Sequence, residues 1–329
     1  MKNDLLVHFE LENASSNEDI QVAINSLISL ISSAISYRYI NLTSPRIIVT
    51  VPLNAREDLI IKVTELKFSY SEIQIEIVNS ESHGYFVSKN SVLKYLKSEK
   101  YIVFCDSDCR YENSYLLIMH KEMEERKGTI GYGVTYASKR RSSLFERASS
   151  LAWQFPPQEI GYESSNLRSR WANSMAVEVS FFSQFPFPQI RLSRFESYEL
   201  KQERNLWQVA SDNLDVKTIE INAVAFHEQF GNLISWTKRE WVHGLGRSAK
   251  LRSQKNSFRD TVTSITLRLL YKWNFVKKLY EIRKIKKIEF YYFSYLIICA
   301  INIEILATII VWVLKLNFEI KWHGVSQIP

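Results

Sequence analysis

Apolar and polar positions alternate with two different periods along the first hundred residues. LLVHFEL (5–11), RIIVTV (46–51) and EIQIEIV (72–78) are short runs with strand-like patterning, the last alternating cleanly. Between them, EDIQVAINSLISLIS (18–32) and REDLIIKVTEL (56–66) repeat with helical spacing, and Asn17 is the expected N-cap of the first. SVLKYLKS (91–98) predicts a third helix, and YIVFC (101–105) is a continuous apolar run of the kind found in buried parallel strands. Strands separated by helices of this length predict an α/β fold with an open, mostly parallel sheet flanked by helices. From Lys139 to about Arg194 the periodicity gives way to an aromatic, serine- and arginine-rich stretch suited to loops over a substrate. VKTIEINAVAFHE (216–228) predicts one more strand and is followed by a basic amphipathic region. No internal repeat is evident.

The pattern changes again at FYYFSYLIICAINIEILATIIVWVL, residues 290–314. As a helix it would be about 37 Å long, enough for a hydrocarbon core of about 30 Å. Lys284, Lys286 and Lys287 precede it, which places the preceding bulk of the chain on the cytoplasmic side of a cell membrane. Glu304 would then lie near the bilayer centre, at a cost of roughly 2.5–3.5 kcal/mol. Ser294, Asn302, Glu304 and Thr308 share one arc of the helix, a stripe able to face a partner helix or a second copy of the chain. The segment is therefore read as a transmembrane helix or an interfacial one. The expected organisation is an α/β domain over 1–236, a basic membrane-proximal region over 237–289, the apolar helix over 290–314 and a short tail over 315–329.

Charge sharpens this division. The 329 residues carry a net charge of +7, yet residues 1–236 have 25 Lys and Arg against 29 Asp and Glu, while residues 237–288 have 15 against 3. A mildly acidic body with one basic belt is not the profile of a nucleic-acid binder, whose basic surface belongs to its folded domain. A bilayer surface beside the apolar helix accounts for the belt better. Only nine glycines occur, none before Gly84, and no GxxxxGK[ST] is present, which excludes a P-loop. GLGRSA (244–249) formally matches a dinucleotide fingerprint but follows a helical stretch, so it is set aside. His227 and His243 lack metalloprotease spacing. The three cysteines, Cys105, Cys109 and Cys299, and an N-terminus without secretory character suit a reducing cytoplasmic setting. Cys105 and Cys109 alone do not make a zinc site.

Candidate chemistry sits where YIVFC runs into DSD. Asp106 and Asp108, at the end of a predicted buried strand, can share a divalent cation, with Mg²⁺ or Mn²⁺ suited to oxygen ligands and to a diphosphate. In open α/β sheets ligands gather beyond the carboxyl ends of the strands. The longer string GYFVSKNSVLKYLKSEKYIVFCDSDCRY (84–111) resembles the core of glycosyltransferase family 2, the inverting GT-A enzymes. WANSMAVEVSFF (171–182), RFESYELKQER (194–204), NAVAFHE (222–228) and SWTKREWVHGLG (235–246) are similar to later segments of that family, in order.

The resemblance implies a nucleotide-sugar donor, a metal on its diphosphate and a GT-A sheet. It implies that Asp106 faces the ribose and the metal, that Asp108 coordinates the metal and that His227 completes the metal or phosphate site. Lys89 and Asn90 are implied beside the donor, and the WANSMA segment lines the sugar and acceptor site. The family's acid pair reads Glu196-Ser197 here, so Glu196 is the first candidate for general base and Glu199, one turn on, the second. The second strand lacks the family's acidic turn, and the first ends in Glu10, Glu12 and Asn13; Glu12 and Asn54 are the donor-binding candidates there. A register taking IIVTVPLN as the first strand matches Pro52 and Asn54 but loses a strand–helix unit. A membrane-associated glycolipid or lipid-linked glycan acceptor follows from the anchor. Ser197 and the missing acids motivate a rival reading, a non-catalytic sugar-nucleotide-binding module or membrane scaffold. A nucleotidyltransferase would need an N-terminal glycine-rich loop that is absent.

Overall fold

The computed structural model describes residues 4–11, 14, 16–80, 85–138, 143–153, 158, 172–192, 203–214, 216–228, 233–282, 284–316 and 318–321. In chain order the first elements are β1 (Leu5–Glu10), α1 (Asn17–Asn41), β2 (Arg46–Val51), α2 (Glu57–Ser69), β3 (Gln74–Asn79), α3 (Tyr85–Ser91), β4 (Tyr101–Asp106), β5 (Cys109–Tyr111) and α4 (Tyr115–Arg126). There follow β6 (Ile130–Ala137), α5 (Leu144–Trp153), β7 (Ser174–Glu178), α6 (Val179–Gln184), β8 (Gln189–Leu192), α7 (Glu203–Asn213) and β9 (Thr218–His227). The chain then runs through α8 (Leu233–Ser253), α9 (Phe258–Glu281), α10 (Lys287–Val313) and β10 (Phe318–Lys321).

Eight strands form one sheet in the order β3-β2-β1-β4-β7-β6-β9-β5. The pairs β3–β2, β2–β1, β1–β4 and β6–β9 are parallel, while β7 is antiparallel to both its neighbours and β5 is antiparallel to β9. The expected open, mostly parallel α/β sheet flanked by helices is therefore present. Because β7 reverses direction twice over, β4, β6 and β9 all point the same way, and their C-terminal ends share one edge.

β1 lies between β2 and β4, with Glu10 opposite Asp106 in the register. That pairing rules out the alternative in which the second strand opens the fold. Alternation of period 2 sends Leu5, Val7 and Phe9 towards α1 and α4, and Leu6 towards Phe104, Phe182, Phe187 and Trp207 on the opposite face. His8 and Asp106 fall on this second face, the one covered by α3 and α6.

Local expectations are corrected in three places. The N-cap of α1 is Ser16 rather than Asn17, because Ser16 Oγ accepts from the Asp19 amide (3.1 Å) while Asp19 accepts from the Ser16 amide (2.9 Å). The helix expected over 91–98 begins earlier, as α3, and tightens into a single 3₁₀ turn over Val92–Tyr95. Its end is fixed by Arg46, which is buried, pairs with Glu99 at 2.7 Å and donates to the Tyr95 carbonyl. Part of the stretch expected as loops contains β7, a central strand, together with α5, α6 and β8. The sequence IGYGVTYA forms β6, where a Cβ on Gly133 would collide with Ser174 Oγ and lie 2.9 Å from the Ala223 carbonyl. Glycine there lets three strands approach closely.

The C-terminal helices form a second packed layer. Ala148 and Leu151 of α5, Trp236 of α8, Ile265, Leu269 and Val276 of α9 and Phe293, Leu296 and Ile297 of α10 make one apolar cluster. Gly244 of α8 sits against α10, where a Cβ would meet Ala307 Cβ at 3.0 Å and Glu304 Cα at 3.2 Å. Ser248 and Thr308 hydroxyls meet there at 2.7 Å. The GLGRSA string is thus a helix-packing surface. Glu304 is fully buried and pairs with Arg247 of α8 and Arg268 of α9. Two helices of the same chain therefore occupy the Glu304 face, on which the sequence had suggested a homo-oligomer contact.

α1 and α10 are both long and apolar enough to cross a membrane by length and composition. For α1 the composition reflects the core, because Leu27, Leu30, Ile31 and Ala34 pack against the sheet.

Candidate functional site

The site is built where four C-terminal strand ends converge. β4 ends at Asp106, the chain turns through Ser107 and Asp108, and β5 leaves antiparallel to β9 with Cys109 opposite His227. The turn is locked from several sides. The Asp106 amide donates to Tyr111 Oη (2.7 Å), whose hydroxyl also lies 3.2 Å from the Asp106 and Asn173 carbonyls. The Glu228 amide donates to the Asp108 carbonyl at 2.7 Å. Ser26 of α1 donates to the Asp106 and Cys109 carbonyls from below.

The two acids have different surroundings. Asp106 accepts from Lys89 Nζ at 2.8 Å on one oxygen and from Tyr85 Oη at 2.5 Å on the other. Lys89 is fully buried and its ammonium stands over the Tyr85 ring, 4.5 Å from the centroid. Burial and the nearby Asp106 and Glu10 carboxylates push the Tyr85 hydroxyl well above its ordinary range, so it remains a donor. Lys89, expected beside the donor, therefore has its charge on Asp106. Asn90 is occupied at both ends by the Phe187 backbone, accepting from its amide (3.0 Å) and donating to its carbonyl (2.8 Å). It clamps the segment leading to β8.

Asp108 Oδ2 lies 3.3 Å from His227 Nε2, and Cys109 Sγ lies 3.7 Å from Asp108 Oδ1. One ligand atom from each of Asp108, Cys109 and His227 falls within 4.8 Å of the others, all three side chains being buried. This donor set fits a divalent cation: a carboxylate and an imidazole suit Mn²⁺ well, and a thiol makes the set softer than the all-oxygen surroundings Mg²⁺ favours. Burial, and then Asp108, pushes the Cys109 thiol well above its ordinary range, so a metal would bind in competition with its proton. Asp106 is outside this group of ligand atoms.

Asn173, from the WANSMA segment, donates to Cys109 Sγ at 3.4 Å and accepts from Thr135 Oγ1 at 3.4 Å. Residues 106–109, 173 and 227, far apart in sequence, therefore meet at one edge. Glu10 is buried at the same edge, opposite Asp106. Asn54 is exposed on the turn after β2. Glu12, Glu196 and Glu199 lie outside the described residues.

Sequence reasoning missed Tyr85, Tyr111 and Cys109. Tyr85 directly follows Gly84 in the string over 84–111 but carries no motif or spacing signal of its own. Cys109 forms no ligand motif with Cys105, and its neighbours come from the β5–β9 pairing, which no sequence spacing reveals.

The chain matches no protein-family profile and no curated protein sequence. Solved structures do match it. With S. aureus TarS 1–349 in complex with UDP-GlcNAc, identity is 11%, TM-score 0.46 and coverage 74% of this chain and 66% of that one. With mannosyl-3-phosphoglycerate synthase from Rubrobacter xylanophilus, identity is 10%, TM-score 0.47 and coverage 76% and 74%. With a longer S. aureus TarS, identity is 13%, TM-score 0.43 and coverage 75% and 40%. The chain spans less than two thirds of the length of the TarS chains it matches.

Proposed function

We propose that this protein is a metal-dependent inverting glycosyltransferase, moving a sugar from a nucleotide-sugar donor to a membrane-associated acceptor such as a glycolipid or lipid-linked glycan. The reading places it at the cytoplasmic face of the cell membrane. The observation that carries it is the convergence of Asp106, Asp108, Cys109, Asn173 and His227 at the C-terminal edge of the sheet. The order of sequence segments resembling family 2 supports it.

In this reading Asp108 and His227 hold a divalent cation, with Mn²⁺ favoured over Mg²⁺ by the imidazole and the neighbouring thiol. The chemistry such a cation supplies when bound is charge neutralisation on a diphosphate leaving group. Asp106, fixed in one orientation by Lys89 and Tyr85, orients the donor, with Glu12 and Asn54 near its nucleoside. Asn173 and the strand that follows it line the sugar and acceptor side. Glu196, or Glu199 in its place, takes the proton from the attacking acceptor hydroxyl, and direct displacement inverts the anomeric centre.

Incubating the purified full chain with a panel of nucleotide sugars and Mn²⁺ tests this. Donor turnover is expected to vanish with chelator and in Asp108→Ala, and Mn²⁺ binding followed calorimetrically is expected to weaken at least about tenfold in His227→Ala. A donor that binds without turnover, unaffected by Glu196→Gln, would instead identify a sugar-nucleotide-binding module.

A further inference from the structure

α10 keeps one complete face uncovered. Tyr291, Tyr295, Ile298, Leu306, Ile309 and Val313 recur, with Asn302 between Ile298 and Leu306, at three- or four-residue steps, and each of the six is at least 40% exposed. No exposed residue between Ile288 and Leu314 carries a charge, and Asn302 is the single polar side chain on the stripe. Along this 27-residue helix the residues from Tyr291 to Val313 make an apolar ridge about 33 Å long. A ridge of that length is not ordinary scattered surface hydrophobicity.

The other face is committed to the chain itself. Glu304 is paired with Arg247 and Arg268, and Glu289 near the start of α10 accepts from Arg147 of α5 at 2.6 Å. Past the end of α10, Arg252 of α8 donates to the Leu316 carbonyl at 2.7 Å, and β10 pairs antiparallel with β8 of the α/β body. Both ends of the helix thus return to the same body. A spanning helix needs its ends on opposite sides of the bilayer, and a span with these contacts intact would carry Arg247, Arg268 and the rest of α8 and α9 into hydrocarbon.

We infer that α10 does not cross the membrane but lies in the plane of an anionic bilayer surface, its uncovered ridge sunk to the level of the headgroup–acyl boundary. Charge complementarity selects this occupant over a second copy of the chain. Residues 237–288 carry 15 basic side chains against 3 acidic ones, and Lys284, Lys286 and Lys287 are exposed immediately before the ridge, with Lys315 exposed just after it. A ridge ending in exposed lysines fits anionic headgroups and repels a second copy of the same surface. Tyr291 and Tyr295 are amphipathic rings suited to that depth. The inference holds whatever reaction the α/β body performs.

The test uses the full chain and vesicles of phosphatidylcholine with and without phosphatidylglycerol. Sedimentation with the anionic vesicles is expected, weakened by high salt, and reduced at least about tenfold in an Ile298→Glu/Ile309→Glu double variant. Both positions are exposed, so the thermal unfolding of that variant is expected to match the parent. In cells, a C-terminal tag should be reached from the same side as the body. Vesicle binding indifferent to the double variant, a tag on the opposite side, or a solution dimer that the variant converts to monomer without any vesicle binding would each overturn the inference.

Discussion

At the scale of single residues, the site is organised by which charges are matched and which are held neutral. His8 illustrates the second case. It is completely buried, its Nε2 lies 2.9 Å from Thr50 Oγ1, and burial followed by the Lys89 charge holds its imidazole well below the ordinary range. In the unfolded chain the same group titrates near about 6.5. Below that pH the unfolded state takes up a proton that the folded state refuses, so the native state loses stability as pH falls and has it in full above about 6.5. The slope reaches about 1.4 kcal/mol per pH unit for one proton. His8→Gln retains a hydrogen-bonding group near Thr50 and removes the titration. Urea unfolding from pH 8 to 5 is expected to show a flatter decline in that variant, and an unchanged slope would refute the assignment. Residues of this kind were partly legible in the sequence. Asp106 and Asp108 announce themselves as acids at the end of an apolar strand, and His227 as the last residue of another. What made them a site was pairing: Cys109 reaches His227 only through β5, a three-residue strand with no periodicity to read.

At the scale of elements, α3 and β4 act as one unit. The helix contributes Lys89 and Tyr85, the strand contributes Asp106, and the pair Lys89–Asp106 is shielded from water, with side chains 0% and 9% exposed. Removing one partner of such a pair leaves an uncompensated charge, typically a loss of about 3–5 kcal/mol, whereas removing both charges costs far less. Lys89→Met is therefore expected to lower the urea midpoint sharply, and Lys89→Met/Asp106→Asn to recover most of that loss. A double variant no more stable than the single one would show that Lys89 acts through packing rather than charge. β1 to β4 together with α1 and α2 could be read from hydrophobic period alone, because each has one continuous apolar face on a central parallel sheet. β6 and β7 could not. Their sequences IGYGVTYA and SMAVE carry glycines and small residues, and these residues serve close strand packing around Ser174 instead of advertising a strand. The start of α3 is hidden for a related reason, since its turn is stabilised by contacts with Asp106 and its end by Arg46, both distant in sequence.

At the scale of the whole molecule, the α/β body and the C-terminal helical layer are joined at both ends of α10 and cross-braced at its middle by charge. Glu304 receives Arg247 and Arg268, and Glu240 and Lys272 face the same interior from α8 and α9. In the sequence Glu304 stands at the centre of an apolar segment, which implies a partner, and its partners are two arginines from the basic belt. The belt therefore has two roles, with some of its cations turned inward to hold the layer together and others left on the surface. Glu304→Ala separates those roles. It strands two guanidinium groups, one of them 21% and the other 32% exposed, so the loss should be at or below the lower end of the range of about 3–5 kcal/mol for a broken buried pair. The loss should also be local. With α10 loosened from α8 and α9, the Leu316 carbonyl and the β8–β10 ladder lose their support, while β1, β2 and β4 keep all of their contacts. Native-state hydrogen exchange is expected to accelerate on the order of a hundredfold for amides of Gln189–Leu192 and Phe318–Lys321 and to stay unchanged in β1 and β4. Equal acceleration throughout would mean that the two layers unfold as one cooperative unit, and that Glu304 supports the Asp106–His227 edge as directly as it supports the helical layer.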